Sequence, residues 1–264
     1  GEKRLYEALR TFGFGTKTDV DLPAEIFGLV RDWRHWSALS IGAISFGQEV
    51  GVTSLQMLVA INTIANGGYR VRPTLVDRII DQDGNLIRSR VTERSGITSP
   101  ETAASIRAAL EGVVLRGTGR QAALEGYRTG GKTGTAQKIV DGRYSNTKYV
   151  ASFIGFAPLP RPKITVLVQI DEPHGKIYGG DVAAPVFRKI TQEVLLLLRV
   201  QPDRTLPLPI FNPKLIASSS EDYLPNATPV IPLMSVDEKA PPTTPDEVIK
   251  VRVGAKSVVV PDFR

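Results

Sequence analysis

The stretch Gly126 to Ala136, GYRTGGKTGTA, decides how this chain is read, because two unrelated chemistries are written over the same residues. From Gly126 the spacing satisfies G-x-x-x-x-G-K-[ST], in which backbone N–H groups close on a nucleotide's phosphates and Lys132 reaches the outer ones. From Lys132 the same residues read K-T-G, a strand motif of acyl-transfer sites. The first reading needs a helix that starts at Thr133; the second needs a strand that runs through it.

The flanks separate the two. A phosphate loop leaves a buried strand and enters a helix, and the parallel sheet it belongs to needs crossovers of a dozen or more residues. Here RQAALE precedes Gly126, and Gly134 falls in an alternating pattern. The connections that follow are the short turns at Asp141-Gly142 and Pro158 to Lys163, which admit only antiparallel neighbours. KTGTAQKIV, YVASFIGFA and ITVLVQID are therefore predicted as three antiparallel strands, with Lys132 to Val140 paired to the strand containing Ser152 to Phe156. One feature still favours a nucleotide site: ITVLVQID is apolar and ends in Asp171, the way a magnesium-positioning acid is presented.

Outward from this meander, helices are predicted for Glu2 to Phe12, for the segment after Thr53, for the segment after Ser99, and for Val182 to Arg199 with Pro185 in its first turn. Thr53 and Ser99 are good caps, and Pro100 suits a first helical position. The second helix, with Leu55, Leu58, Val59 and Ile61 to Ile64, should be substantially buried, and Gly67-Gly68 ends it. The intervening 13–52 reads as a polar, irregular connection. TLVDRIIDQDGNLIRSRV gives two short strands about an Asp-Gly turn. Beyond Val200 prolines and serines indicate an extended linker, 200–246, and strand character returns over 247–264.

The 264 residues are 42% apolar and 23% charged, ordinary values for a globular protein. The net charge of +6 is spread along the chain with no dense basic run, so nucleic acid is not an expected partner. There is no cysteine, and His35 and His174 lie far apart, so neither a disulfide framework nor a metal site is expected. No apolar run reaches bilayer length, and the opening GEKRLYEAL has neither an initiator Met nor a signal peptide, which suggests a mature or excised piece.

The segments GEKRLYEALRTFGFG, DLPAE, ISFGQEVGVTSLQMLVAINTIANGGYRVRPTLV, LEGVVLRGTG, GGKTGTAQK, SFIGFAPLPRPKITVLVQID and YGGDVAAPVF occur in the order found in class B penicillin-binding proteins. Over residues 1–199 the chain resembles that family, above all its cell-division transpeptidases, and VVVPDFR resembles the first strand of a PASTA domain. The resemblance implies an α+β fold with a central antiparallel sheet flanked by helices, of which this chain is the C-terminal part. It implies serine acyl transfer between peptidoglycan stem peptides ending in D-Ala-D-Ala, inhibition by β-lactams, no cofactor, contact with divisome proteins, and anchorage at the extracytoplasmic face of the bacterial membrane.

By the same resemblance, Lys132, Thr133 and Thr135 hold the substrate's carboxylate, and Gly134 keeps the cleft floor open. The Thr135 N–H is an oxyanion donor, and Tyr178, Gly179 and Gly180 border the cleft from the loop after the third strand. The family's other motifs, S-x-x-K and S-x-N, should precede K-T-G. No S-x-N occurs here, and the one S-x-x-K, Ser145 to Lys148, lies downstream beside a turn. The nucleophile and its base are thus expected in upstream sequence outside this chain. A chain without them could alternatively serve as a non-catalytic module that holds wall peptide or protein partners.

Overall fold

The computed structural model describes residues 1–89, 91–203, 249–253 and 256–260. Most of the expected linker, 200–246, and the terminal PDFR lie outside the described residues. The chain divides into two units, Gly1–Leu208 and Pro209–Arg264.

The first unit is built on the expected meander. The Asp141-Gly142 turn has φ of 51° and 76°, the two left-handed residues that match the twist of a tight hairpin. It joins β5 (Gly130–Val140) to β6 (Arg143–Ala157), which pairs in turn with β7 (Ile164–Asp171). The sheet order is β5-β6-β7, all antiparallel, with Lys132 opposite Ile154 and Gly134 opposite Ser152. A helix at Thr133 does not form, which removes the nucleotide reading. Asp171 is occupied as well, in an ion pair with Lys138 Nζ at 2.9 Å.

Helices cover both faces of the sheet. Phe153 and Phe156 are three residues apart on β6 and so point to opposite sides. Phe153 meets Phe187 of α5 (Gly179–Leu197) with ring centroids 4.7 Å apart, in a cluster completed by Val114, Ala122, Val168, Ala183 and Ala184. Such a ring pair contributes about 1 kcal/mol beyond its buried area. Phe156 packs with Ala65 of α3 (Ser54–Ala65) and Leu110 of α4 (Pro100–Arg116). This is the α+β arrangement expected, with β6 as its shared core strand.

The caps are those the sequence predicts. Thr53 and Gln56 form a reciprocal capping box on α3, and Ser99 accepts from Thr102 N at 3.1 Å on α4. Gln56 does more: its Nε2 donates to Thr16 O at 2.7 Å and Phe27 O at 2.9 Å, with the side chain buried. That amide pins the irregular segment that follows α1 (Glu2–Thr11), where the structure also places a short helix α2 (Ser40–Ser45) and a bridge between Leu29 and Gly51. Residues 69–89 and 91–96 form an antiparallel ribbon: β1 (Tyr69–Val71) with β4 (Arg94–Gly96), then β2 (Arg78–Ile80) with β3 (Leu86–Ser89).

Two boundaries differ from expectation. The last helix of the first unit starts at Gly179, three residues before Val182, so Pro185 lies inside the helix rather than in its first turn. The unit also continues past 199: Val200 joins the cluster of Leu124, Tyr127, Ala157 and Leu195, Tyr127 Oη donates to Val200 O at 2.8 Å, and Asp203 N donates to Gly126 O at 2.7 Å. In the second unit, β8 (Ile249–Val253) and β9 (Lys256–Val260) pair antiparallel, two strands where the resemblance suggests a single first strand. No helix of the described residues is long and apolar enough to cross a membrane.

Candidate active site

β5 is an edge strand among the described residues, with only β6 beside it. Lys132 is exposed and its Nζ donates to Thr133 O at 2.9 Å, with Thr133 Oγ1 at 3.4 Å. The Thr133 carbonyl therefore points away from β6. Along a pleated strand alternate residues share a side, so the N–H and C=O of Thr135 face the same open edge. An acyl group laid along that edge would find the Thr135 N–H in front of it and the Lys132 ammonium beside it.

The threonine hydroxyls are oriented from behind. Thr133 Oγ1 lies 2.8 Å from Thr118 Oγ1, and Thr135 Oγ1 accepts from Gly179 N at 3.2 Å. Once its oxygen has accepted from the helix amide, the Thr135 hydroxyl proton is free to point at an anion. The amide is one of the unpaired N–H groups of a helix N-terminus, so the local field also favours negative charge.

Gly179 and Gly180 are not in a loop, as expected, but form the first turn of α5. The reason is distance. A Cβ on Gly179 would lie 2.1 Å from Ser152 O and 2.4 Å from Gly134 O, and one on Gly180 would lie 2.5 Å from Thr118 O. Only glycine lets the helix end approach the strand closely enough to reach Thr135. Gly134 likewise lies against β6, where a Cβ would be 2.4 Å from Ser152 Oγ. Tyr178 is the N-cap of α5 and is 63% exposed, directly before this turn.

Three residues that matter to this geometry were not singled out in the sequence. Thr118 meets the motif strand through its hydroxyl and Ser152 lies opposite Gly134 on β6; in the sequence Thr118 is marked only by the glycines that flank it. Gly119 packs at 3.1 Å from Phe153 and Gly117 at 2.9 Å from Val113 O, measured from a built Cβ, which fixes the threonine between them. Gln137 continues the strand: its Nε2 donates to Ser145 O at 3.1 Å and Asn146 Oδ1 at 3.2 Å, tying the distal hairpin together.

Ser145 and Lys148 do not make a nucleophile and base. Ser145 Oγ accepts from Lys148 N at 3.1 Å, whereas Lys148 Nζ pairs with Glu172 Oε2 at 3.4 Å. Glu172 also accepts from Lys138 Nζ at 2.8 Å, and that hydrogen bond holds its carboxyl below the usual glutamate range while raising Lys138. His35 and His174 are both exposed, in a short 3-10 turn and in the loop after β7.

An edge strand K-T-G, backed by a glycine-led helix on an antiparallel sheet, is the architecture of a serine acyl-transfer domain, and residues 1–192 match the penicillin-binding protein transpeptidase domain. The chain belongs to that family. It is 41% identical over 208 residues to stage V sporulation protein D of Bacillus subtilis, covering 76% of this chain and 32% of that protein. It is 35% identical over 214 residues to the probable peptidoglycan D,D-transpeptidase PenA of Neisseria gonorrhoeae, covering 78% and 34%. Among solved structures, penicillin-binding protein 3 of Mycobacterium tuberculosis complexed with ampicillin superimposes with a TM-score of 0.72 at 32% identity, covering 81% of this chain and 49% of that one. The chain thus spans about one third of the length of the curated relatives it matches.

Proposed function

We propose that this chain is the K-T-G half of a peptidoglycan D,D-transpeptidase that is also a β-lactam target. The observation that carries the reading is the open edge of β5, where the Thr135 N–H, the Thr135 hydroxyl held by Gly179 N, and the Lys132 ammonium converge. In this reading a serine from sequence outside the chain attacks the carbonyl of the penultimate D-alanine. The Thr135 N–H donates to the oxygen as it becomes an anion, a contribution worth about a hundredfold to a thousandfold in comparable sites. D-alanine leaves with the proton, and an amine from a second stem peptide then displaces the serine from the acyl-enzyme. Lys132 and the two threonines bind the terminal carboxylate through charge-assisted hydrogen bonds, and Tyr178 with Gly179-Gly180 borders the same edge.

Two observations support placing the nucleophile elsewhere: no S-x-N occurs in the chain, and the S-x-x-K at Ser145 is held in a turn with its lysine paired away. The resemblance to division transpeptidases supports a location at the extracytoplasmic membrane face and a role in division among divisome partners. The β8–β9 pairing supports a PASTA-like module over 247–264. The test is covalent labelling with a fluorescent penicillin. The full-length protein should retain label through denaturing electrophoresis, and residues 1–264 alone should not; stable label on the isolated chain, at Ser145 or elsewhere, would overturn the assignment.

A further inference from the structure

Residues 69–89 and 91–96 form an arm. β1 and β4 pair at its root and β2 and β3 towards its tip, where Asp81 closes the turn by accepting from Asn85 N at 2.7 Å and Asp83 N at 3.0 Å. The β2–β3 pair is a sheet of two strands, with both outer edges unpaired among the described residues. Its aliphatic side chains are bare: Ile79 and Ile80 are 41% and 51% exposed, and Leu86 and Ile87 60% and 65%. A two-stranded ribbon with no third strand and no packed face is marginal in water, and an apolar open edge is a template for another strand.

Charge along the arm points to what covers it. Asp83 is exposed at the tip, and Arg88 and Arg94 are exposed nearer the root; none of the three has an ion-pair partner among the described residues. On β2, by contrast, Arg78 is already paired with Asp77 at 3.0 Å. Two arms laid side by side in opposite directions bring each acidic tip against the other's basic root, and two-fold symmetry makes the contact twice. Laid in the same direction they would oppose like charges. A lipid surface suits the tip poorly, because hydrogen bonds from Asn85 hold the Asp81 carboxyl below its usual range and therefore ionised.

We propose that this arm is a homodimerisation element: the outer edge of β3 pairs antiparallel with β3 of a second copy, giving a four-stranded sheet with Asp83 of each copy beside Arg94 of the other. Four strands satisfy the requirement that two do not meet, and Leu86 and Ile87 gain cross-strand neighbours.

Sedimentation velocity of the full-length protein across micromolar concentrations tests this. A reversible dimer is expected. Ile87→Asp should abolish it with an unchanged circular dichroism spectrum, since that side chain is 65% exposed. Asp83→Arg and Arg94→Asp should each weaken association about tenfold, as expected when two symmetry-related ion pairs become repulsions, and the combined swap should restore it to within about threefold. A monomer at every concentration would overturn the proposal. So would a dimer that none of these variants alters, which would leave the arm to another part of the polypeptide or to a different protein.

Discussion

Gly179 N donates to Thr135 Oγ1 across 3.2 Å, and this contact exists only because Gly179 carries no side chain where the helix meets the backbone carbonyls of Ser152 and Gly134. The hydroxyl that faces the open edge of β5 is thus aimed by the first turn of the same helix that carries Phe187 into the core.

Gly179→Ala should therefore do two things at once. A methyl group 2.1 Å from Ser152 O must displace α5 or the strand, costing about 1–3 kcal/mol in thermal or denaturant unfolding. In the full-length protein, acylation by penicillin should fall further than stability alone accounts for, because Thr135 loses its orienting donor. A variant with unchanged melting temperature and unchanged acylation would show that the close approach is dispensable.

Lys132→Ala should separate binding from folding. The side chain is exposed and its contacts are with its own neighbour Thr133, so stability should change by less than about 0.5 kcal/mol. Acylation of the full-length protein should slow by about one to two orders of magnitude, the loss of a charge-assisted partner for the carboxylate. Ser145→Ala should leave the same rate nearly unchanged; stopped-flow acylation measures both.

Millimolar ATP with magnesium should not raise the melting temperature, since a ligand stabilises only a fold that binds it. Residues 130–140 form a strand through the whole of G-K-T, which leaves no loop to hold phosphates. Differential scanning fluorimetry decides this; a saturable rise would revive the nucleotide reading.

Acid should loosen the distal end of the sheet first. The Glu172 carboxyl is held below its ordinary value, chiefly by the hydrogen bond from Lys138, so its folded pKa lies below its unfolded one. Its contribution is present above the unfolded pKa of 4.5 and is lost as pH falls through the folded value. Glu172→Gln should be less stable than the parent near neutrality and should converge with it in acid, which urea unfolding across that range would show.

Alkali acts at the opposite pole. Burial raises the Tyr127 phenol above 10.0, so its stabilising O–H to Val200 O is fully present below that value and is lost as pH rises through the folded pKa. Tyr127→Phe should cost about 1 kcal/mol at neutral pH and should remove part of the parent's loss of stability in alkali. Parallel slopes for parent and variant above about pH 10 would contradict this.

Much of this was legible in the sequence because it is governed by local chemistry. Asp141-Gly142 forces a reversal, Thr53 caps α3 as expected, and the short connections exclude a parallel sheet. What was not legible depends on distant partners. Nothing in the local sequence marks Gln56 among its apolar helix neighbours, yet it fastens Thr16 and Phe27. The sequence puts the start of α5 at Val182, whereas packing against Ser152 and Gly134 extends it back over two glycines despite their low helix propensity. Thr118 carries no signal of its own; its meaning arises from a threonine 15 residues later in the chain. The charged site residues could be named from a motif, but the groups that aim them could not.

The seat of Gly134 against Ser152 has an evolutionary corollary. Ser152 touches no substrate in the proposed chemistry, yet its hydroxyl lies beside the motif strand, 2.4 Å from where a side chain at Gly134 would begin. Selection for altered antibiotic sensitivity is therefore not confined to residues that meet the drug. A bulkier or smaller side chain on the second strand would shift the first, and a rigid β-lactam that must hold its carbonyl in line with the Thr135 N–H would sense the shift before a flexible natural peptide did. Inherited resistance of this kind would leave the motif letter-perfect and reside one strand away.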